Sequence, residues 1–125
     1  MRDASRKFRI RSKIWVEDTR GKLVLGPGRL RIFDSIQRTG SIHAAAKDLG
    51  MSYRAVWGKI KATEERLGKT LLVKSVGGLA GGGSQLTPKA VALVEAYRNM
   101  QNHLTHEADR FFENTLEGIL SGRSQ

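Results

Sequence analysis

Three glycines, Gly40, Gly50 and Gly68, punctuate the most regular stretch of this chain and leave it few ways to fold. Each follows a run of apolar residues at helical spacing, the place where a glycine ends a helix by turning left-handed. Before Gly40, "RLRIFDSIQRT" sets Leu30, Phe33 and Ile36 on one helical face, with Ile32 beside them. After it, Ser41 can cap a short helix, "IHAAAKDL", whose Ile42, Ala45, Ala46 and Leu49 are apolar on one side. Ser52 can cap a third, "YRAVWGKIKATEERL", with Val56, Ile60, Thr63 and Leu67 along a buried stripe. A turn of about three residues between the second and third pieces gives them the proportions of a helix-turn-helix.

The flanks read as small β elements. From Phe8 to Val16, "FRIRSKIWV" alternates apolar with basic side chains, the period of a half-buried strand, and "KLVLG" follows after "EDTRG". The short connection containing Gly21 favours a hairpin. "GPG" at 26–28 stops it, because proline cannot donate to a ladder. Beyond the helices, "TLLVKSV" and "SQL" bracket a segment in which five of the seven positions from Gly77 to Gly83 are glycine. A phosphate-cradling loop needs a lysine where Gly83 stands and a helix directly after, and the helix starts only at Thr87. A slack linker is the plain alternative. A hairpin tip directly after a helix-turn-helix is a wing, where missing Cβ atoms let the backbone approach a phosphate, and the segment is expected to be one.

Thr87-Pro88 opens the last element, with threonine at the cap and proline at the first helical position. Ala90, Leu93, Tyr97, Met100, Leu104, Ala108 and Phe111 keep a three-four spacing with no Gly or Pro until Gly118. A stripe of roughly four heptads exceeds what a small core uses and points to a partner helix, most simply that of a second copy. The expectation is therefore a mainly α protein with small β elements, one winged helix-turn-helix domain over 1–125. It comprises an N-terminal β-hairpin (7–26), three helices (29–67, the helix-turn-helix at 42–67), a wing (70–86) and a long dimerisation helix (87–117). Leu93, Tyr97, Met100, Leu104, Ala108 and Phe111 form the expected homodimer face.

Charge selects the partner. Lys and Arg number 22 against 12 Asp and Glu, and the surplus is one-sided: residues 1–75 carry 18 basic and 7 acidic side chains, whereas 76–125 carry 4 and 5. A basic half of this kind concentrates phosphate polymers, so double-stranded DNA is the expected partner. With no cysteine, disulfides, thiolate zinc sites and cysteine nucleophiles are excluded. The longest purely apolar run, Ala90 to Val94, is far too short to span a membrane or form a signal-peptide core, so a soluble, cytoplasmic chain is expected. His103 and His106, with Glu107 and Asp109 nearby, make a metal reading conceivable, but no second ligand-bearing segment supports it. No nucleophile-base-orienter set is visible, so neither enzyme activity nor a cofactor is expected.

In a helix-turn-helix the start of the second helix enters the major groove. With Val56 and Ile60 turned inward, Tyr53, Arg54, Trp57, Gly58 and Lys61 lie on or near the outward face. Arg54 suits base reading, since a guanidinium can engage guanine O6 and N7 together, and suits a phosphate clamp equally well. Tyr53 and Trp57 can touch a thymine methyl or pack under the helix, while Lys59 and Lys61 suit phosphates. Ser41, His43 and Ser52 stand near helix starts that can hold phosphate, with capping the simpler role for both serines. Lys74, Ser75, Ser84 and Gln85 flank the wing tip. Arg9, Arg11 and Lys13 on the N-terminal hairpin either widen a DNA footprint or form a solvated, aggregation-resistant edge. A sequence-neutral DNA-packaging protein and a small oxyanion- or metal-binding protein are the alternatives these residues leave open.

From Gly40 on, "GSIHAAAKDLGMSYRAVWGKIKATEERLGKTLLVKS", followed by "LTP", resembles the winged-helix domain of LysR-type regulators. Through "SYRAVW" and "GGLAGGGSQLT" it is similar, more closely, to the DNA-binding domain of the ModE family of molybdate-dependent regulators. The likeness covers residues 29 to about 105. It implies a bacterial transcription factor, dimeric through the helix after the wing and bound to an inverted repeat. ModE-like proteins hold molybdate in further C-terminal domains, and nothing up to Gln125 matches that ligand site.

Overall fold

A computed structural model describes residues 7–75 and 82–122. These fall into two compact units, one within residues 14–98 and one that joins residues 7–13 with residues 99–122.

The larger unit begins with a small hairpin, β1 (Val16–Glu17) and β2 (Leu23–Leu25), paired antiparallel with a register shift between Val16 and Glu17. Asp18 makes its turn: the carboxylate accepts the backbone N–H groups of Arg20 and Lys22, and Gly21 takes the left-handed conformation at φ 82°. Of the strand expected over 8–16 only Val16 enters β1; residues 8–15 adopt no regular structure. The three residues of β2 offer no ladder for a longer partner, and alternation alone cannot satisfy a strand's N–H and C=O groups.

Helices α1 (Pro27–Thr39), α2 (Ile42–Leu49) and α3 (Tyr53–Leu67) follow, each ended by a left-handed glycine, at Gly40, Gly50 and Gly68. The first starts two residues before the expected position because Pro27, a residue with its φ preset and no N–H to lose, occupies the opening helical position. Ser41 and Ser52 cap the other two, their hydroxyl oxygens accepting from Ala44 and Ala55 N–H at 3.0 Å. The wing hairpin pairs β3 (Leu72–Ser75) antiparallel with β4 (Gly83–Leu86), matching Leu72 to Leu86 and Ser75 to Gly83. Its glycine-rich tip, residues 76–81, lies outside the described residues.

One apolar core ties these elements together: Val24 and Leu25 of β2, Ile32, Phe33 and Ile36 of α1, Ala45 and Ala46 of α2, Val56 and Ile60 of α3, with Leu71 and Leu86 at the base of the wing. Two side-chain links cross it. Arg29, buried, donates through Nε to Thr63 Oγ1 at 3.2 Å, and that hydroxyl donates to Val24 O at 3.1 Å, so Thr63 of the apolar stripe joins α1, α3 and β2. Asp48 accepts from Ser35 Oγ at 2.7 Å and Arg38 Nη2 at 2.6 Å, fastening α2 to α1.

Helix α4 (Pro88–Asn114) starts at Thr87, whose hydroxyl accepts from Ala90 N–H at 3.2 Å and donates to Thr70 O at 3.0 Å. Its first turns complete the core with Ala90, Val94 and Tyr97. Its later turns, with a short α5 (Leu116–Leu120), belong to the smaller unit. The single helix expected to 117 is thus broken at Thr115, whose hydroxyl turns back to the Phe111 carbonyl at 2.6 Å and which leaves helical geometry at ψ −83°. Back-bonding of this kind competes with the helical ladder. Among the described residues no helix is long and apolar enough to cross a membrane.

Candidate nucleic-acid interface

The outward flank of α3, the start of α2 and the wing enclose a groove of about 520 Å³. From the helices, Ser41, His43, Tyr53, Trp57 and Lys61 line it; from the wing, Lys74, Ser75 and Ser84 do. The tertiary structure therefore gathers eight of the twelve expected DNA contacts on one concave surface. The other four, Ser52, Arg54, Lys59 and Gln85, are exposed outside its lining. Ile42, Leu72 and Val73 join the lining and add apolar surface.

Order within the groove comes from a few contacts. The rings of His43 and Tyr53 stack with centroids 4.2 Å apart, which ties the start of α2 to the start of α3. Lys61 lies 5.7 Å from the Trp57 ring centroid and donates to Glu64 Oε1 at 3.2 Å. Tyr53 and Trp57 remain 42% and 45% exposed, so neither has its ring packed under the helix. The helical side of the groove thus presents aromatic and cationic surface without burying it, and the wing side adds Lys74.

Glu64 holds the wing to α3. Its Oε2 accepts the backbone N–H groups of Leu71 at 2.7 Å and Leu72 at 3.1 Å, at the entry to β3. Partial burial pushes the carboxyl pKa up, but the two amides and Lys61 outweigh it and hold the group below the usual glutamate value. An acid in the basic half of a chain was the only clue to this role, and no local pattern reveals which amides it meets.

The other strand is fixed to the end of α1 by backbone. Ser84 N–H donates to Gly40 O at 2.8 Å. A Cβ added at Gly83 would lie 2.8 Å from that carbonyl and 2.4 Å from Ser75 Oγ. The serine can rotate away; the carbonyl of a helix-ending glycine cannot do so cheaply. Gly83→Ala is therefore expected to cost about 1–3 kcal/mol of stability as overpacking strain, read as a lowered denaturant midpoint with an unchanged slope. An unchanged midpoint would mean that the wing shifts without cost.

Of the expected homodimer face, Leu93 and Tyr97 serve the chain's own core. Leu93 packs against it half-buried, while Tyr97 is 3% exposed and donates its hydroxyl to Ile14 O at 2.6 Å. Met100, Leu104 and Phe111 are exposed, Phe111 the most at 73%, and Ala108 is half-buried. Leu116, Ile119 and Leu120 of α5 are exposed as well. His103 and His106 are exposed, and among the described residues no three His, Cys, Asp or Glu side chains cluster as a metal site.

Known proteins are similar to this chain. The family of bacterial regulatory helix-turn-helix proteins of the LysR type matches residues 27–91. The molybdenum transport protein ModE of Azotobacter vinelandii is 35% identical over 100 residues, covering 80% of this chain and 37% of that protein. The DNA-binding transcriptional dual regulator ModE of Escherichia coli is 34% identical over 76 residues, 61% of this chain and 29% of the relative. The chain thus spans between 29% and 37% of the length of these curated relatives. Among solved structures, the DNA-binding domain of CbnR in complex with DNA is 28% identical, superposes with a TM-score of 0.56, and covers 70% of this chain and 94% of that one.

Proposed function

The chain belongs to the bacterial regulatory helix-turn-helix proteins of the LysR family, and from that premise we propose that it is a sequence-specific, DNA-binding transcriptional regulator. In this reading α3 docks in the major groove, the wing follows the adjacent phosphates, and two copies joined through the distal part of α4 bind an inverted repeat. The observation that carries it is the pairing of the exposed flank of α3 with the wing around one groove. Three acids of this region are paired with cations: Asp34 with Arg98, Asp48 with Arg38, Glu64 with Lys61. The cations Arg54, Lys59 and Lys74 stay exposed. Likeness to ModE proteins supports a link to molybdate or other oxyanion metabolism. Likeness to regulators supports a non-catalytic role in the bacterial cytoplasm.

Selection of binding sites from a random duplex library at physiological salt tests this directly. Recovery of an inverted repeat with half-sites centred about one helical turn apart is expected. Uniform recovery would overturn sequence reading and leave a phosphate-holding, DNA-packaging protein. On the recovered site, Arg54→Ala is expected to cost about 1–3 kcal/mol and to relax preference at one base position, the effect of losing a bidentate contact. A uniform loss across sequences would instead assign Arg54 to a phosphate.

A further inference from the structure

Gly58 stands near the middle of α3, where glycine weakens a helix relative to alanine because the unfolded chain gives up more freedom. A fold keeps such a residue for one of two internal reasons: a left-handed backbone, or a neighbour too close for a Cβ. Neither holds here. Its backbone is not among the positive-φ positions, and a Cβ built on it would meet nothing within 4 Å. The residue is exposed. Whatever needs the missing Cβ is not among the described residues.

The position on the helix identifies what that is. Val56, Ile60 and Thr63 face the core, and at about 100° per residue Gly58 falls on the opposite side, one turn beyond Arg54. It is thus among the outermost points of α3. An α-helix with its side chains is about 10–12 Å across and the major groove about 12 Å wide, so the outermost position governs how deeply the helix seats. A methyl there would hold the backbone away by about the length of one C–C bond, ~1.5 Å. That displacement stretches a hydrogen bond of about 2.9 Å beyond useful range.

We propose that Gly58 is a specificity-determining position of the DNA-reading helix, its missing Cβ letting α3 seat deeply enough for Arg54 to reach base edges. The proposal rests on the DNA-reading function above and adds to it the residue that sets docking depth. Phosphate contacts lie at the groove's rim and tolerate a shallower helix; base contacts at its floor do not.

Gly58→Ala separates the two. The variant is expected to unfold a few degrees higher, about 2–8 °C, while its affinity for the selected duplex drops about tenfold and its affinity for random duplex changes little. The readout is the ratio of the two affinities beside the melting temperature. A raised melting temperature with an unchanged ratio would overturn the proposal while leaving sequence-specific binding by the native chain intact. A lowered melting temperature would also overturn it, since the glycine would then serve the chain's own fold. If the native chain itself shows no preference between selected and random duplexes, the DNA-reading function falls and this proposal with it.

Discussion

Replacing Leu104 and Phe111 together by aspartate is expected to leave a folded monomer that holds an inverted repeat about a hundredfold more weakly than the native chain. Both side chains are exposed within their own chain, at 42% and 73%, so the substitutions remove few internal contacts. Aspartate costs a helix well under about 1 kcal/mol per position relative to the best formers. In the proposed dimer, the same changes would place carboxylates in the middle of an apolar seam at coiled-coil spacing. Loss of the second copy removes the effective concentration that joins two half-site events into one, a factor of roughly 10²–10⁴. Sedimentation at micromolar concentration, with titration of single and paired half-sites, checks both parts. A variant that remains dimeric would place the seam elsewhere, with the exposed Leu116, Ile119 and Leu120 of α5 the next candidates.

The second large effect is expected at Glu64. Glu64→Ala leaves the amides of Leu71 and Leu72 without their acceptor at the partly buried root of the wing, and should cost about 2–4 kcal/mol, the range for stranding such donors. Glu64→Gln keeps the shape and one acceptor oxygen but loses the charge that strengthens these bonds, so it should fall between the two. The charge also predicts a pH dependence. Because the folded-state pKa lies below the usual value, the carboxylate's contribution is complete above the unfolded pKa of about 4.3 and fades as pH falls through the folded value. Asp18 and Asp48 are also held below the ordinary aspartate value, by the backbone N–H of Lys22 and by the Arg38 side chain first of all, and they deepen the acid loss. The stability gap between native chain and Glu64→Gln should therefore be widest near neutral pH and shrink below about pH 4. A gap that stays constant from neutral pH down through the acid range would show that packing, and not charge, is what glutamate supplies there.

The features legible from sequence are those set within a few residues. Ser41 and Ser52 cap helices because their hydroxyls reach an N–H three residues on, and Gly40, Gly50 and Gly68 end helices because only a residue without Cβ turns left-handed at small cost. The apolar stripes through Ile32, Ile36, Val56 and Ile60 form the core. For the same reason the outward face of α3 follows from residue spacing alone: once one side of a helix is buried, the other is fixed by its period.

Partners distant in sequence account for the rest. The alternation from Phe8 to Val16 has the period of a strand, but only a neighbouring ladder makes one, and β2 is three residues long. Tyr97 has the spacing of a dimer seam and is taken by the core through the Ile14 carbonyl. Glu64 resembles any surface acid until the chain brings Leu71 and Leu72 to it. Gly83 resembles one more flexible residue until the Gly40 carbonyl closes over it. Where helices start, stop and turn their apolar faces is written in the order of residues, because caps, glycines and periodicity act within one or two turns. How the wing is fastened against α3, and which apolar side chains are left for a second copy, arises only in the folded chain, because those outcomes depend on which distant group arrives to satisfy an amide or cover a ring.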